Sequence, residues 1–406
     1  MRRLAPLLAS VLLALATVSL ATVSLATVAR AAGVEHAPAD AWPLARGCAA
    51  GSGRSSLSLD LPLVEHWHRS FDKTAFGAVP VIAAGTIYLG DLDGTFHALD
   101  LETGATRWSF NTEAAGFPSA AAVSLDAALP LVVVGDDTGV VRAFDRTAGD
   151  VVWEYETDGE ISGGPTLLPA TAAVAARVLV GSQDASLACL ELATGKVLWK
   201  HSIADQIRCS PTVADGRVFI AGCDGKLHVI DVETGVEQAA VPIDGPTGTT
   251  PAAADGRVFF GTEGGAFFAI DVAAAKVAWK VAPAAGGQAY RSSAAVADGL
   301  AIVGTRGKAV EAFSLADGVR RWRQPTRGRV DGSPVVAPVS RDADGRQVAI
   351  VADAAGRIAV LDTRSGDPVW EFDAGGRFSA GPAVAAGRVV AASEDGTLWC
   401  LRATAP

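Results

Sequence analysis

Two short acidic segments contain the residue types that bind calcium, Asp91-Leu92-Asp93-Gly94 and Asp342-Ala343-Asp344-Gly345. A calcium site needs several oxygen ligands that converge at one place. Each segment coincides with a predicted hairpin turn, where Asp bonds its own backbone and Gly adopts a positive φ without strain. We therefore interpret both segments as structural turns and predict no metal site.

The histidines define no catalytic group. His66 and His68 flank Trp67 on one predicted strand, so strand alternation predicts that both face away from it. His97 and His228 occupy the same position of a repeated unit in different copies, so they should lie far apart. The spacing supports no arrangement of Ser, His and Asp, and we predict no catalytic residue.

The chain contains five cysteines. Cys189 and Cys400 stand at a position where Ala is usual, so we interpret them as packing residues. Cys209 and Cys223 lie at the two ends of one predicted hairpin, one step out of register, so a disulfide between them requires a bulge or distortion. The sequence does not decide whether Cys209 and Cys223 form a disulfide, and Cys48 has no evident partner.

A repeated pattern of eleven residues positions these groups. It reads Ala-Leu-Asp-x-x-Thr-Gly-x-x-x-Trp, from Ala98 to Trp108. Asp100 to Gly104 forms a turn between two strands, and the Trp ring can pack on the small first residue across them. The other copies are Ala143–Trp153, Cys189–Trp199, Val229–Ala239, Ala269–Trp279, Ala312–Trp322 and Val360–Trp370.

Two more strands precede each copy. In the fourth copy, Asp215-Gly216 and Asp224-Gly225 each join two apolar runs, which is a strong hairpin signal. The unit is therefore a four-stranded antiparallel meander of about 40 residues. Radial repetition of such sheets gives a β-propeller.

The last copy lacks its fourth strand, and the N-terminal region supplies one. Residues 382–401 provide three strands, and Leu63–Phe71 carries Trp67 at the expected position. Ring closure of this kind removes exposed sheet edges. We predict an all-β protein, an eight-bladed β-propeller of four-stranded antiparallel blades over residues 63–406, closed by the N-terminal strand.

Residues 1–31 are predicted to be a signal peptide, and residues 32–62 a leader or linker. Arg2 and Arg3 precede an apolar segment from Leu4 to Val28, and Ala29-Arg30-Ala31 fits a small-x-small cleavage site. The alternative is an uncleaved anchor, because the apolar run is long enough to span a bilayer. With cleavage we expect no transmembrane span and a periplasmic or secreted protein.

The mature chain is acidic. Of 34 Lys and Arg residues three lie in the signal peptide, which leaves 31 against 44 Asp and Glu, a net charge of about −13. An acidic chain without a basic run argues against nucleic-acid binding.

The repeats resemble the pyrroloquinoline quinone (PQQ) repeat with its tryptophan-docking motif. The segment Trp42-Pro43-Leu44-Ala45-Arg46-Gly47 is similar to the Trp-Pro-x-x-Arg-Gly lead-in of many exported bacterial proteins of this superfamily. The resemblance covers roughly residues 42 to 406. The superfamily includes quinoprotein dehydrogenases, the propeller lipoprotein of the outer-membrane β-barrel assembly machinery, and uncharacterised exported propellers.

Three functional interpretations follow. The first is a non-enzymatic, monomeric scaffold without a cofactor that binds protein partners of the cell envelope. The second, implied by the resemblance alone, is a dehydrogenase with PQQ, Ca²⁺ and a carboxylate base over the channel. Such enzymes are usually longer, and the adjacent Cys-Cys pair that many of them carry is absent. The third is a sensor that binds a small molecule or polymer at the channel mouth.

The sensor interpretation rests on the residues at the start of each innermost strand. The charged residues in this predicted ring are Arg208, Arg291 and Asp331. The alternative is that Arg291 and Asp331, on adjacent blades, simply pair.

The scaffold interpretation points to loops between the first two strands of a blade. These loops are longer in blades two, three and seven and open on one face of the ring. The blade-seven loop is the most polar, and Arg341, Asp342, Asp344 and Arg346 are the predicted partner contacts.

Overall fold

The computed structural model describes residues 36–283, 287–340, 342 and 344–404, and these residues form β-strands without an α-helix. The chain divides into two units, Met1–Ala32 and Gly33–Pro406, and every described residue belongs to the second. The predicted signal peptide therefore lies outside the described residues. In the described part of the chain, no helix has the length and apolarity to cross a membrane.

Eight antiparallel sheets of four strands form the blades, so the predicted eight-bladed propeller is confirmed. Blades one to four contain β2 (Val81–Ala83), β3 (Thr86–Gly90), β4 (Thr95–Asp100) and β5 (Thr106–Asn111); β6 (Ala122–Val123), β7 (Leu131–Gly135), β8 (Val140–Asp145) and β9 (Val151–Glu156); β10 (Thr166–Leu168), β11 (Arg177–Gly181), β12 (Ser186–Glu191) and β13 (Val197–Ser202); and β14 (Thr212–Ala214), β15 (Arg217–Ala221), β16 (Lys226–Asp231) and β17 (Glu237–Pro242).

Blades five to seven continue the same order, and blade eight combines both ends of the described chain. Their strands are β18 (Ala252–Ala254), β19 (Arg257–Gly261), β20 (Phe267–Asp271) and β21 (Lys276–Val281); β22 (Ala295–Ala297), β23 (Leu300–Thr305), β24 (Ala309–Ser314) and β25 (Arg320–Pro325); β26 (Val335–Pro338), β27 (Gln347–Ala352), β28 (Arg357–Asp362) and β29 (Pro368–Asp373); and β30 (Ala383–Ala385), β31 (Arg388–Ala392), β32 (Thr397–Ala403) and β1 (Leu63–Ser70).

The N-terminal strand closes the ring as predicted. β1 pairs antiparallel with β32, from Leu63 opposite Ala403 to Ser70 opposite Thr397. The first strand of each blade is innermost, and first strands of adjacent blades contact one another around the channel. The hydrophobic core is accordingly divided into clusters that each lie between neighbouring blades.

Every blade has a β-bulge in its fourth strand, immediately before the Trp position. A bulge interrupts the alternation of side chains along a strand. The prediction that His66 faces away from Trp67 is therefore wrong. Trp67 Nε1 donates to the carbonyl oxygen of Leu101, and His66 Nε2 lies 3.0 Å from the carboxylate of the adjacent Glu102.

The Trp of one blade lies on a glycine of the next. Trp153 is buried, and its Nε1 donates to the Leu192 carbonyl oxygen at 2.8 Å. Its ring covers Gly195, where an added Cβ would come within 2.7 Å of ring carbons. The same pairing recurs as Trp67–Gly104, Trp108–Gly149, Trp199–Gly235, Trp279–Gly318 and Trp322–Gly366.

At the junction between blades four and five, both the Trp and the glycine of this contact are replaced. Ala239 replaces the Trp, and Ala275 replaces the glycine that such a ring would cover, with a φ of 49°. With no ring above position 275, a Cβ is tolerated there. The bond from Arg217 Nη1 to the Val272 carbonyl oxygen, at 3.0 Å, remains at this junction, and Arg177 and Arg257 make the equivalent bond at junctions that keep the Trp.

We predict that Trp153 and Gly195 are energetically coupled. Trp153→Ala should cost about 3–5 kcal/mol of unfolding free energy. Gly195→Ala should add overpacking against the ring, about 1–3 kcal/mol, to the cost of a positive φ. The double variant removes the clash, so urea unfolding should show it less destabilised than the sum of the two.

Ala275→Gly is the matched control, because no ring covers that position. It should change the unfolding free energy by no more than about 1 kcal/mol. Additivity of the Trp153 and Gly195 changes within about 0.5 kcal/mol would show that the ring and the glycine do not constrain each other.

Candidate functional site

The channel opens on the face that carries the second-to-third strand turns and the connections between blades, which we call the upper face. The opposite face, with the first-to-second and third-to-fourth turns, is the lower face. At the upper face a cavity of about 200 Å³ lies on the ring axis. The residues at the start of all eight innermost strands line it: Gly77, Pro118, Ser162, Arg208, Gly248, Arg291, Asp331 and Ser379.

The three charged residues of this ring contact different partners. Arg291 Nε lies 3.0 Å from a carboxylate oxygen of Glu263, and Arg208 Nε donates to Gln206 at 2.9 Å. The expected alternative of an Arg291–Asp331 pair is wrong, because Asp331 is held by two other arginines. Those are Arg306 at 3.0 Å and Arg329 at 2.7 Å.

A layer of hydroxyl groups lies below the charged ring on blades four to seven. The amide of Ser210 donates to Thr250 Oγ1 at 3.1 Å, and the amide of Thr250 donates to Ser293 Oγ at 2.9 Å. The amide of Ser293 donates in turn to Ser333 Oγ at 2.9 Å. A hydroxyl that accepts in this way keeps its own O–H available as a donor, so this wall can bind an acceptor group.

Ala45 and Arg46 form the floor of the cavity. Arg46 is 4% exposed, and its Nη2 donates to the carbonyl oxygens of Ala294 and Pro334, both at 2.9 Å. Its Nε is buried without a hydrogen-bond partner, and none of the ion pairs among the described residues includes it. Burial lowers the pKa of Arg46 to about 10, which reflects a cation removed from water without a carboxylate beside it.

Arg46 belongs to a segment that fills the channel below the cavity. Residues 41–55, here named the channel plug, run around the inner strands and are almost entirely buried. Residues 37–59 exchange backbone hydrogen bonds with Ile82, Val123, Val213, Ala253, Val296, Val336, Pro338, Ser340 and Ala386, which lie on seven of the eight blades.

The plug follows this path because of its own small and turn-forming residues. Gly47, Gly51 and Gly53 have φ values of 80°, 64° and 65°, which only Gly adopts without strain. The Trp42 ring packs on Gly47, where a Cβ would meet it at 2.8 Å, and the Arg46 guanidinium lies directly on Gly53. The Trp-Pro-x-x-Arg-Gly segment thus builds the floor, a role that the sequence analysis missed.

The predicted partner loop lies on the lower face. Arg346 Nε lies 2.7 Å from Asp362, and the Asp344 carbonyl oxygen accepts from Arg364, so the loop is fixed to the third-to-fourth turn of its own blade. Asp342 Oδ1 accepts from the Asp344 amide at 2.8 Å, as expected for a structural turn. Arg341 lies outside the described residues.

Exposed aliphatic side chains concentrate at the lower face. Of the large hydrophobic residues that are exposed among the described residues, all but Leu92 lie at the start of a fourth strand or, for Leu125, in the blade-two loop. On blades two to six they form the aliphatic rim, made of Val151, Val152, Val197, Leu198, Val236, Val277 and Val319.

The cysteines offer no reactive thiol in this arrangement. Cys209 and Cys223 are free, and Cys189 and Cys400 are fully buried at the predicted packing positions. Burial raises the pKa of Cys209 to about 12, which keeps this thiol protonated and poorly nucleophilic. Cys48 lies in the channel plug, with its Sγ 3.3 Å from Ser52 Oγ.

The chain matches the model of a family described as outer membrane protein assembly factor BamB, at residues 64–164, 137–238, 183–341 and 339–405. These matches cover all eight blades. The chain belongs to this family. Its repeats are thus those of PQQ-like propellers.

Curated members of the BamB family show the same relationship at low identity. The BamB protein of Yersinia pestis is 24% identical over 266 residues, which are 60% of this chain and 54% of that protein. The BamB protein of Moranella endobia is 25% identical over 162 residues, or 39% of this chain and 41% of that protein. The matched segments therefore span only about half the length of these relatives.

Solved structures show the likeness of fold. BamB from Moraxella catarrhalis superimposes with a TM-score of 0.65 at 17% identity, covering 84% of this chain and all of that one. The quinohemoprotein alcohol dehydrogenase of Comamonas testosteroni superimposes with a TM-score of 0.72 at 13% identity, covering 90% of this chain and 81% of that one. The fold is thus shared by a BamB protein and a quinoprotein enzyme.

The residues at the cavity do not fit a calcium-bound quinone. Among the described residues that line it, Asp331 alone carries a carboxylate, and two arginines already hold it. Calcium requires several converging oxygen ligands, and a positive cluster opposes its binding. The Arg46 side chain also lines this cavity and adds a buried cation to it.

We predict that the channel plug stabilises the whole ring. A chain starting at residue 57 keeps β1 but lacks the plug, whereas a chain starting at residue 36 keeps both. The shorter chain should melt at a clearly lower temperature, because buried Trp42 and Leu44 and the hydrogen bonds to seven blades are lost. Equal melting temperatures in differential scanning calorimetry would show that the plug is a passive filler.

Proposed function

We propose that this protein is an exported, non-enzymatic scaffold that binds protein partners in the cell envelope during outer-membrane protein assembly. The family match along the propeller carries this proposal. We place the scaffold in the periplasm with the signal peptide removed, and we propose that it acts as a monomer without a cofactor.

The partner surface that we propose is the lower face. Exposed aliphatic groups that stand one to three residues before the Trp position on successive blades favour contact with another protein. The blade-seven loop lies on the same face, with Asp342, Asp344 and Arg346 as polar contacts beside the apolar ones. This division into apolar anchors and a polar border is typical of protein interfaces.

Removing aliphatic groups from the rim should abolish assembly function without unfolding the ring. A gene deletion should lower the content of outer-membrane β-barrel proteins, as measured by quantitative proteomics of isolated outer membranes. The wild-type gene should restore that content, whereas a Val151→Ser, Val197→Ser, Val277→Ser variant should not. These side chains are 40–42% exposed, so the melting temperature should change little.

Leu92→Ser is the matched control. Leu92 is 45% exposed like the rim residues but lies in a second-to-third turn on the upper face, so this variant should complement fully. An unchanged β-barrel content after gene deletion would contradict the proposed function. Complementation by the rim variant would be compatible with the proposed function but would show that the partner binds another surface.

The channel mouth supports a second candidate function, the binding of a small organic anion. Three arginines line the cavity, Arg46, Arg208 and Arg291, against one carboxylate, Asp331. The chain as a whole has a net charge of −10, so this positive cluster stands out. Low-dielectric walls concentrate such a field and attract anions.

The unpartnered Nε of Arg46 is the observation that favours this candidate. A buried donor without an acceptor is costly, and a carboxylate that reached the floor would satisfy it. The hydroxyl layer supplies further donors at the same depth. A carboxylate or phosphate compound that fits a cavity of about 200 Å³ is the corresponding ligand class.

Citrate is a suitable probe for the mouth. Isothermal titration calorimetry should show one site in the wild-type protein, and Arg208→Ala or Arg46→Met should weaken binding at least about tenfold, as expected for the loss of a charged donor. Arg321→Ala, an exposed arginine of the lower face, should bind like wild type. Equal citrate affinity in all four proteins would exclude the mouth as an anion site.

A further inference from the structure

Two imidazoles and a carboxylate meet between the outer strands of blades three and four, outside the channel. The side chains are His201 of β13, His228 of β16 and Glu237 of β17. Their nearest ligand atoms all lie within 4.8 Å of one another. His201 and His228 stand on different blades, so repeat spacing carries no signal for this contact, and the prediction that the histidines make no site did not anticipate it.

The fold assembles the cluster through strand alternation and the bulge. His201 follows Trp199 by two residues on β13, so both side chains point toward blade four. The bulge in β17 places Glu237 opposite Ile230, and Ile230 shares its face with His228 two residues earlier. The carboxylate is thereby turned toward blade three, on the side where His201 approaches.

One nitrogen of the cluster that could bind a metal has no hydrogen-bond partner. His228 Nδ1 lies 2.7 Å from Glu237 Oε1, and the rings of His201 and His228 have their centroids 6.4 Å apart. His201 Nε2 is buried and has no hydrogen-bond partner. A buried imidazole nitrogen that bonds to nothing carries a desolvation cost that a bound cation would offset.

A carboxylate outside the cluster orients His228. Its Nε2 lies 3.0 Å from Asp224, and the two side chains are only 5% and 4% exposed. Histidines that bind metals usually donate their second ring N–H to a carboxylate, which fixes the ring and leaves the other nitrogen free for the metal. Asp224 holds His228 in this way, with Nδ1 directed at Glu237.

We propose that His201, His228 and Glu237 bind a zinc-class divalent cation, with Asp224 as the residue that positions His228. Two imidazoles and a carboxylate are a known ligand set for zinc, which takes a water as its fourth ligand. Tetrahedral bonds of about 2.1 Å place ligand atoms roughly 3.4 Å apart, so the widest separation must shrink by at most roughly 1.4 Å. Glu237 is 35% exposed, which gives the cation and its water access from solvent.

The junction between blades eight and one has the same arrangement with other residues. His97 Nε2 lies 3.0 Å from Asp91, as His228 does from Asp224. The residues equivalent to His201 and Glu237 are Arg69 and Thr106, and these two also meet, with Arg69 Nη1 donating to Thr106 Oγ1 at 3.0 Å. The same spatial relationship therefore occurs at both junctions, and among the described residues only the junction between blades three and four places three metal-ligand side chains there.

The test uses the purified protein, freed of metal with a chelator. Zn²⁺ titrated by calorimetry at neutral pH should bind at one site, and Zn²⁺ should raise the melting temperature of the wild-type protein. His201→Ala, Glu237→Gln and Asp224→Asn should each weaken zinc binding about 10–100-fold. His97→Ala is the matched control and should bind zinc like wild type.

Substitution with cobalt tests the coordination geometry of the metal independently of its affinity. Co²⁺ in the wild-type protein should give the intense visible absorption of four-coordinate cobalt, and His201→Ala should lose it. Melting temperatures measured without metal show whether each variant is folded, and His201→Gln replaces His201→Ala if the latter is not. Absence of zinc binding in the wild type, or binding by a folded His201 variant with wild-type affinity, overturns the proposal.

Discussion

The contact of a Trp side chain with a glycine of the next blade is the constraint on which the whole propeller depends. A four-stranded sheet buries one face only when another sheet lies on it, so each blade is stable only between its neighbours. The ring of Trp153 over Gly195 shows the geometry, since the indole occupies the space of a missing side chain and its N–H bonds to the next blade. Where Ala239 replaces the Trp, Ala275 replaces the glycine, so both partners of the contact differ from the repeat at this junction.

The channel plug stabilises the centre of the propeller, where no blade covers the innermost strands. Eight inner strands leave an axial space, and the plug fills its lower part while forming backbone hydrogen bonds with six blades. Burying Arg46 there costs free energy because no carboxylate neutralises it. Its hydrogen bonds to the carbonyl oxygens of Ala294 and Pro334, which precede the inner strands of blades six and seven, offset part of this cost.

The two faces of the ring therefore differ in chemistry. The upper face presents a positive cavity, whereas the lower face presents aliphatic groups and a polar loop. A small anion and a protein partner would bind on opposite sides of one rigid body and would not compete. The histidine cluster lies at neither surface but between two blades, where a cation would join the outer strand of one to the next.

The sequence by itself determined the blade count, the strand order, the closure by the N-terminal strand and the ring of Arg208, Arg291 and Asp331, because these follow from the local period of the repeat. The tertiary structure alone decided which groups meet between blades. Arg291 and Asp331 have separate partners, and His66 reaches Glu102 of blade one, because the reach of a side chain and the bulge before Trp67 do not follow from the spacing of the repeats. The plug and the meeting of His201 with His228 depend on contacts between residues far apart in the chain or on different blades, which no local pattern carries.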